Sequence, residues 1–197
     1  VEMGISYKNM WKAVVTPLFL VMAFLMLFTA ATELGTNQRI ESLLKGSGVS
    51  ALLVLAFING IMAIGRSFAG PIVHKLSTRG LLVFSAVFAF IGLMWLSYAQ
   101  GYMTFVAAGV FAVGICYFWP TMIGFVSENI PESGALGLSL MGGLGFLSAS
   151  IVLPVMGRFL DLSGSGAETL RYMAILPAFL IVAFISLYFF YKKKTVS

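Results

Sequence analysis

Six long apolar runs constrain this chain more than any other feature of its sequence. They cover residues 17–36, 49–73, 80–99, 103–127, 135–159 and 171–191. A helix of about 20 apolar residues spans the hydrocarbon core of a bilayer, and these runs are that long or longer. The sequence therefore predicts an all-α membrane protein with six transmembrane helices that lie in a lipid bilayer.

The composition excludes the main soluble classes. Of 197 residues, 60% are hydrophobic and only 10% are charged, whereas about a quarter of a soluble domain is charged. These figures exclude a soluble enzyme, a disordered chain and a nucleic-acid-binding module. Cys116 is the single cysteine, so a disulfide framework and a Cys-x-x-Cys metal site are excluded too. We expect no cofactor and no metal.

Charge between the runs predicts orientation. An even number of spans puts both termini on one side, and that side collects eight basic residues against four on the other, which favours cytoplasmic termini. We expect a cytoplasmic or interfacial segment over residues 1–16, a bundle over 17–191 and a basic cytoplasmic tail over 192–197, in a bacterial inner membrane. Because the chain starts at Val1, we expect it to be a piece of a longer polypeptide.

Two short matches suggest an internal repeat. Gly65-Arg66 closes the second run and Gly157-Arg158 closes the fifth, while Glu33 ends the first run and Glu128 ends the fourth. An inverted repeat of three plus three helices, common in secondary transporters, would leave such matches. Chance remains the alternative, because the two offsets differ.

Polar side chains inside the runs are the candidates for a solute or ion pathway. Thr29, Glu33 and Asn37 share one helix face at intervals of four residues. Glu33 is either a proton-titrating or solute-binding carboxylate near the outer end of its helix, or an interfacial residue that marks where the span stops. The other candidates are Asn59, which could line a cavity or join helices, and Tyr117 and Thr121, which could contact a solute or simply pack.

The fifth run is rich in small residues, among them Ser139, Gly142, Gly143 and Gly145. Such residues let helix backbones approach closely. We interpret this face either as a structural packing surface or as one that slides. Spans three and six carry the fewest polar residues and are expected to face lipid.

The loop between the second and third runs resembles the signature of the major facilitator superfamily. The segment Gly65-Arg66-Ser67-Phe68-Ala69-Gly70-Pro71-Ile72-Val73-His74-Lys75-Leu76-Ser77-Thr78-Arg79 is similar to G-x-x-x-D-R/K-x-G-R/K-R/K. Gly70, Lys75 and Arg79 match, whereas His74 stands in place of the usual Asp. Ser127-Glu128-Asn129-Ile130-Pro131-Glu132 resembles the acidic loop after the tenth helix of these transporters.

The resemblance implies that the chain is helices seven to twelve of a twelve-helix transporter. It implies alternating access against an N-terminal six-helix half, or against a second copy. The expected function is secondary active transport of a small polar organic solute, sugar- or nucleoside-like, coupled to protons or another ion. Glu128 and Glu132 would pair with Arg66, Lys75 and Arg79 at a cytoplasmic gate in the outward-open state.

Two other classes of membrane protein are alternatives to a transporter. An intramembrane serine protease needs a nucleophile and a histidine base at the same depth, yet His74, the single histidine, falls in a loop on the opposite side from Ser165. We therefore expect no enzyme activity. The remaining alternative is a non-transporting scaffold bundle or an isolated fragment.

Overall fold

The structure is a computed structural model that describes residues 6–190, with the side chains of residues 73 and 74 left out. All regular structure in this part of the chain is helical. The ten α-helices are α1 Tyr7–Val14, α2 Pro17–Ala30, α3 Thr36–Leu43, α4 Ala51–Ser67, α5 Ala69–Leu96, α6 Met103–Cys116, α7 Phe118–Asn129, α8 Gly134–Ser163, α9 Gly166–Met173 and α10 Ile175–Phe190.

Within residues 6–190, five continuous helical segments are long and apolar enough to cross a membrane: Pro17–Leu43, Lys75–Leu96, Met103–Asn129, Pro131–Ser163 and Gly166–Phe190. They confirm an all-helical protein of the membrane type. The predicted second span, 49–73, is instead the shorter apolar helix Ala51–Ser67. A turn at Phe68 interrupts it before α5 begins.

The first span is longer than its apolar run predicts. The prediction ended it at Thr36, but the helix continues through α3 to Leu43. Hydropathy falls at Asn37, Gln38 and Arg39, yet these residues tolerate helix, and no glycine or proline follows until Gly46. Glu33 therefore lies inside a helix of 27 residues, about 24 Å from its start. The prediction that it sits near a helix end is wrong.

Close packing of α5 on α6 forms much of the core. Gly92 and Gly114 lie directly against backbone atoms of the opposite helix, at Phe111 and Ala89 respectively. Any Cβ at either glycine would collide with that backbone, so the contact requires glycine. α10 packs on the same α5, while α2 packs against α7 and α8.

The short helix α1 precedes the bundle. It packs against the start of α8 and the 3₁₀ turn Pro131–Ser133. Ala13 and Val14 are buried there, whereas Tyr7 and Trp11 are exposed. The predicted tail 192–197 and residues 1–5 lie outside the described residues.

α4 is the least buried of the helices that carry site residues. Only Val54, Ile58 and Met62 are buried along it. Its exposed surface has an apolar side, with Leu53 and Ile64, and a side of small and polar residues. The second side comprises Ala56, Asn59, Gly60, Ala63, Arg66 and Ser67.

Candidate functional site

An ion pair joins the first span to α4 inside the bundle. Arg66 Nη2 donates to Glu33 Oε1 at 2.8 Å. The Glu33 side chain is 6% exposed and the Arg66 side chain 40% exposed. A charged group at membrane depth requires such a partner, so each residue accounts for the presence of the other.

A break in the fourth span supplies the second partner of Arg66. Pro120 has no N–H, so it leaves the carbonyl four residues earlier, that of Cys116, without its helical donor. α6 ends at Cys116 and α7 begins at Phe118. Arg66 Nε donates to this Cys116 carbonyl at 3.1 Å. The guanidinium thus joins the Glu33 carboxylate to the break that Pro120 creates.

Glu33 itself lies in a backbone irregularity. Residues Ala31–Gly35 form a turn of π-helix between α2 and α3. Single π turns inside α-helices are rare and occur often at functional sites. The Glu33–Arg66 pair therefore lies where the first and the fourth spans both depart from regular α geometry.

Several buried polar atoms beside the pair have no hydrogen-bond partner among residues 6–190. They include Glu33 Oε2, Thr36 Oγ1 and Asn37 Oδ1, which follow one another within a single helical turn. The Asn37 amide Nδ2 has only a long contact of 3.9 Å to the Met62 sulfur. Buried polar atoms are normally satisfied, so this cluster departs from the usual structural pattern.

The predicted pathway residues divide into two groups. Thr29, Glu33, Asn37, Tyr117 and Thr121 are buried or half-buried within the bundle. Thr29 binds the Met26 carbonyl of its own helix, and the Tyr117 hydroxyl lies beside Gly65, next to Arg66. Asn59 is on the exposed side of α4, where its amide donates to the Leu55 carbonyl at 2.9 Å.

The expected gate forms a different set of contacts in this structure. Arg66 was predicted to pair with Glu128 or Glu132 at the cytoplasmic end, but it pairs with Glu33. Glu128 Oε2 accepts a hydrogen bond from Thr78 Oγ1 at 2.8 Å. Glu132 and Lys75 are exposed, and so is Gly70, with open space beside it. Arg79 is half-buried, and the side chain of His74 lies outside the described part.

The backbone bends at this predicted gate. α5 is interrupted at Ser77, a non-glycine residue with φ 60° and ψ 157°. Ser77 Oγ accepts from the Gly80 amide at 3.3 Å, which helps restart the helix. A positive φ at serine is uncommon, so this bend is a strained point next to the Thr78–Glu128 contact.

The small residues of α8 face two different surroundings. A Cβ on Gly145 would lie 2.5 Å from the Trp119 ring, which also packs edge-on against Phe146. Gly142 and Gly143 have nothing within 4 Å of a Cβ among the described residues, and Ser139 is exposed. Of the predicted packing residues, only Gly145 packs within the bundle. The other three lie on an open surface.

Sequence reasoning did not foresee the Glu33–Arg66 pair or the role of the Cys116 carbonyl. A signal for both was present, because Glu33 is the single acid and Arg66 a lone base within their apolar segments. Lone charges at membrane depth pair with one another or with carbonyls, and Pro120 identifies the free carbonyl.

Fold and site together define the class of this protein: an α-helical integral membrane protein with an ion pair inside its helix bundle. Family models, curated proteins and solved structures contain no significant match to this chain.

Proposed function

We propose that this chain is the C-terminal half of a secondary active transporter of the major facilitator type. It would move a small polar organic solute across the membrane by alternating access, driven by a proton or another ion. The observation that carries this proposal is the Glu33–Arg66 pair, held at 2.8 Å between two irregular helix segments. Ionisable residues inside membrane helices are costly and mark ion or substrate pathways.

Helix packing supports the proposed repeat of three plus three helices. A two-fold relation would exchange α2 with α6–α7, α4 with α8, and α5 with α9–α10. Under that exchange the contact of α2 with α8 corresponds to that of α6 with α4, and both occur. The contact of α5 with α6 likewise corresponds to that of α10 with α2. Inverted repeats of this kind place solute sites at the repeat interface.

The positions of the two helix breaks support the same repeat. Pro17–Leu43 and Met103–Asn129 each contain 27 residues. The π turn starts at Ala31, the fifteenth residue of the first helix. The break in the other helix falls at Tyr117, also the fifteenth residue. This correspondence replaces the Glu33–Glu128 match suggested by the sequence, because those two residues occupy different positions in their helices.

The open surfaces of α4 and α8 suit contact with a second bundle. Gly60, Ala63 and Gly143 are exposed, and Gly60, Gly142 and Gly143 have open space beside them. Small residues allow helices to approach and shift against each other. We propose that the N-terminal half of the polypeptide, or a second copy, covers this surface. Both termini would face the cytoplasm of a bacterium.

Uptake into proteoliposomes tests the proposed function. The complete polypeptide is reconstituted, and radiolabelled glucose and uridine are supplied under an inward proton gradient, an inward Na⁺ gradient or neither. Gradient-dependent uptake of either solute that Tyr117→Ala reduces and Tyr188→Ala does not supports transport. Tyr188 is the matched control because it lies on the exposed surface of α10. If neither solute is taken up under any gradient, and a wider panel of sugars and nucleosides gives the same result, a scaffold is favoured instead.

A further inference from the structure

Arg66 contacts two oxygen acceptors, and further buried oxygens without a partner belong to the turn of the first span that carries Glu33. The two hydrogen-bond acceptors of Arg66 are both oxygens, Glu33 Oε1 at 2.8 Å and the Cys116 carbonyl at 3.1 Å. The Cys116 carbonyl belongs to a helix C-terminus that Pro120 leaves without a donor. Both are strong acceptors that a cation, rather than a neutral donor, would satisfy best.

Three further buried oxygens belong to neighbouring positions of the first span. Glu33 Oε2, Thr36 Oγ1 and Asn37 Oδ1 have no hydrogen-bond partner in the described part of the chain. Positions three and four residues apart on a helix are neighbours, with Cβ atoms about 5–6 Å apart. Asn37 also contacts Met62, whose carbonyl accepts from the Cys116 thiol. Met62 thus connects this turn of helix to the Cys116 end of α6.

We propose that these five oxygens form a binding site for a monovalent alkali cation, Na⁺, which Arg66 occupies as a tethered competitor in this conformation. Carboxylate, hydroxyl, amide and backbone oxygens are the ligands that hard cations take. In membrane transporters, interrupted helices expose carbonyl oxygens that coordinate Na⁺. This inference rests on the proposed function only in making Na⁺ the coupling ion.

Charge balance explains why Arg66 and Na⁺ would exclude each other. Glu33 is the only acidic residue that contacts the guanidinium in the described chain, and one carboxylate compensates one cation. Arg66 lies on the open side of α4 with 40% of its side chain exposed, so it can leave without crossing the core. Na⁺ binding would therefore release the Arg66 side chain from the Glu33 carboxylate and from the Cys116 carbonyl.

Ion-dependent stability and direct binding test this site. The purified complete polypeptide is titrated with NaCl, LiCl and choline chloride at constant ionic strength, with thermal unfolding and ²²Na⁺ binding as readouts. We expect saturable ²²Na⁺ binding and stabilisation by Na⁺ or Li⁺ but not by choline. Equal responses to Na⁺ and choline, together with no saturable ²²Na⁺ binding, would overturn the site.

Variants separate the site from general effects on folding. Thr36→Val and Asn37→Leu each remove an unpaired oxygen. Both variants should fold in choline chloride but bind Na⁺ at least about tenfold more weakly, since even the loss of an outer-shell partner costs 10–100-fold in metal affinity. Arg66→Ala removes the competitor and should bind Na⁺ more tightly than the wild type. Glu41→Gln, on the exposed side of α3, should bind as the wild type does.

The two proposals fail in distinguishable ways. Solute uptake driven by protons, with no Na⁺ binding, overturns the cation site and leaves transport standing. Saturable Na⁺ binding lost in Thr36→Val and Asn37→Leu supports the site whether or not a solute is found. Tighter binding in Arg66→Ala supports the competition, whereas weaker binding there overturns it.

Discussion

Arg66 Nη2 lies 2.8 Å from Glu33 Oε1, and this pair connects α4 to the π turn of the first span. The stability of the bundle depends on whether both charges of the pair are present. A buried charge that loses its partner costs more than the pair itself contributes. Removing one member and removing both should therefore give different results.

Arg66→Met should destabilise the protein by about 3 kcal/mol, because it leaves a buried carboxylate without a partner. The double variant Glu33→Gln with Arg66→Met should recover most of that loss, since neither charge remains. Unfolding in a mixed-micelle SDS titration measures both free energies of unfolding. A double variant that is less stable than Arg66→Met would contradict this account.

Pro120→Ala should weaken the hydrogen bond between Arg66 and the Cys116 carbonyl. Alanine restores an N–H that can donate to the Cys116 carbonyl, which Arg66 Nε now contacts at 3.1 Å. We expect slower amide hydrogen exchange over residues 117–121 as the helix becomes regular, together with lower solute uptake. Pro154→Ala, within the exposed part of α8, is the control and should leave exchange at 117–121 unchanged.

Gly145→Ala should destabilise the bundle by about 1–3 kcal/mol, because the new methyl group would lie 2.5 Å from the Trp119 ring. Gly143→Ala meets open space, so the isolated bundle should be unaffected or stabilised by up to about 1 kcal/mol. Thermal unfolding of both variants makes the comparison. Equal losses would show that the Trp119 contact is not the reason for glycine at 145.

The sequence predicted the elements of this site better than their assembly. Spacing predicted Thr29, Glu33 and Asn37 on one helix face, and all three are buried or half-buried. Pro120 lies just after the break between α6 and α7. The sequence could not give the depth of Glu33 within its helix. The helix continues past Thr36 through polar residues, which the length of an apolar run does not include. The resemblance to the major facilitator signature placed Arg66 at a cytoplasmic gate, whereas in the structure it pairs with Glu33.

Pairing across the bundle lies beyond such reasoning for a physical reason. Glu33 and Arg66 are 33 residues apart, and which charges meet depends on how α4 is rotated against α3 and α6. That rotation is set by packing of Val54, Ile58 and Met62, which looks like any apolar stripe in sequence. The unpaired oxygens of Thr36 and Asn37 follow from the same rotation.

Gradient-driven uptake by the complete polypeptide carrying Glu33→Gln tests the central claim, that the buried pair takes part in transport, most directly. The glutamine keeps the size of the side chain and removes its charge, and Glu41→Gln controls for loss of an acid elsewhere on the first span. In proteoliposomes, with a solute the wild type accumulates, Glu33→Gln should fold, insert and lose gradient-driven accumulation, while Glu41→Gln retains it. Unchanged uptake and an unchanged dependence on pH and Na⁺ in Glu33→Gln would contradict the account.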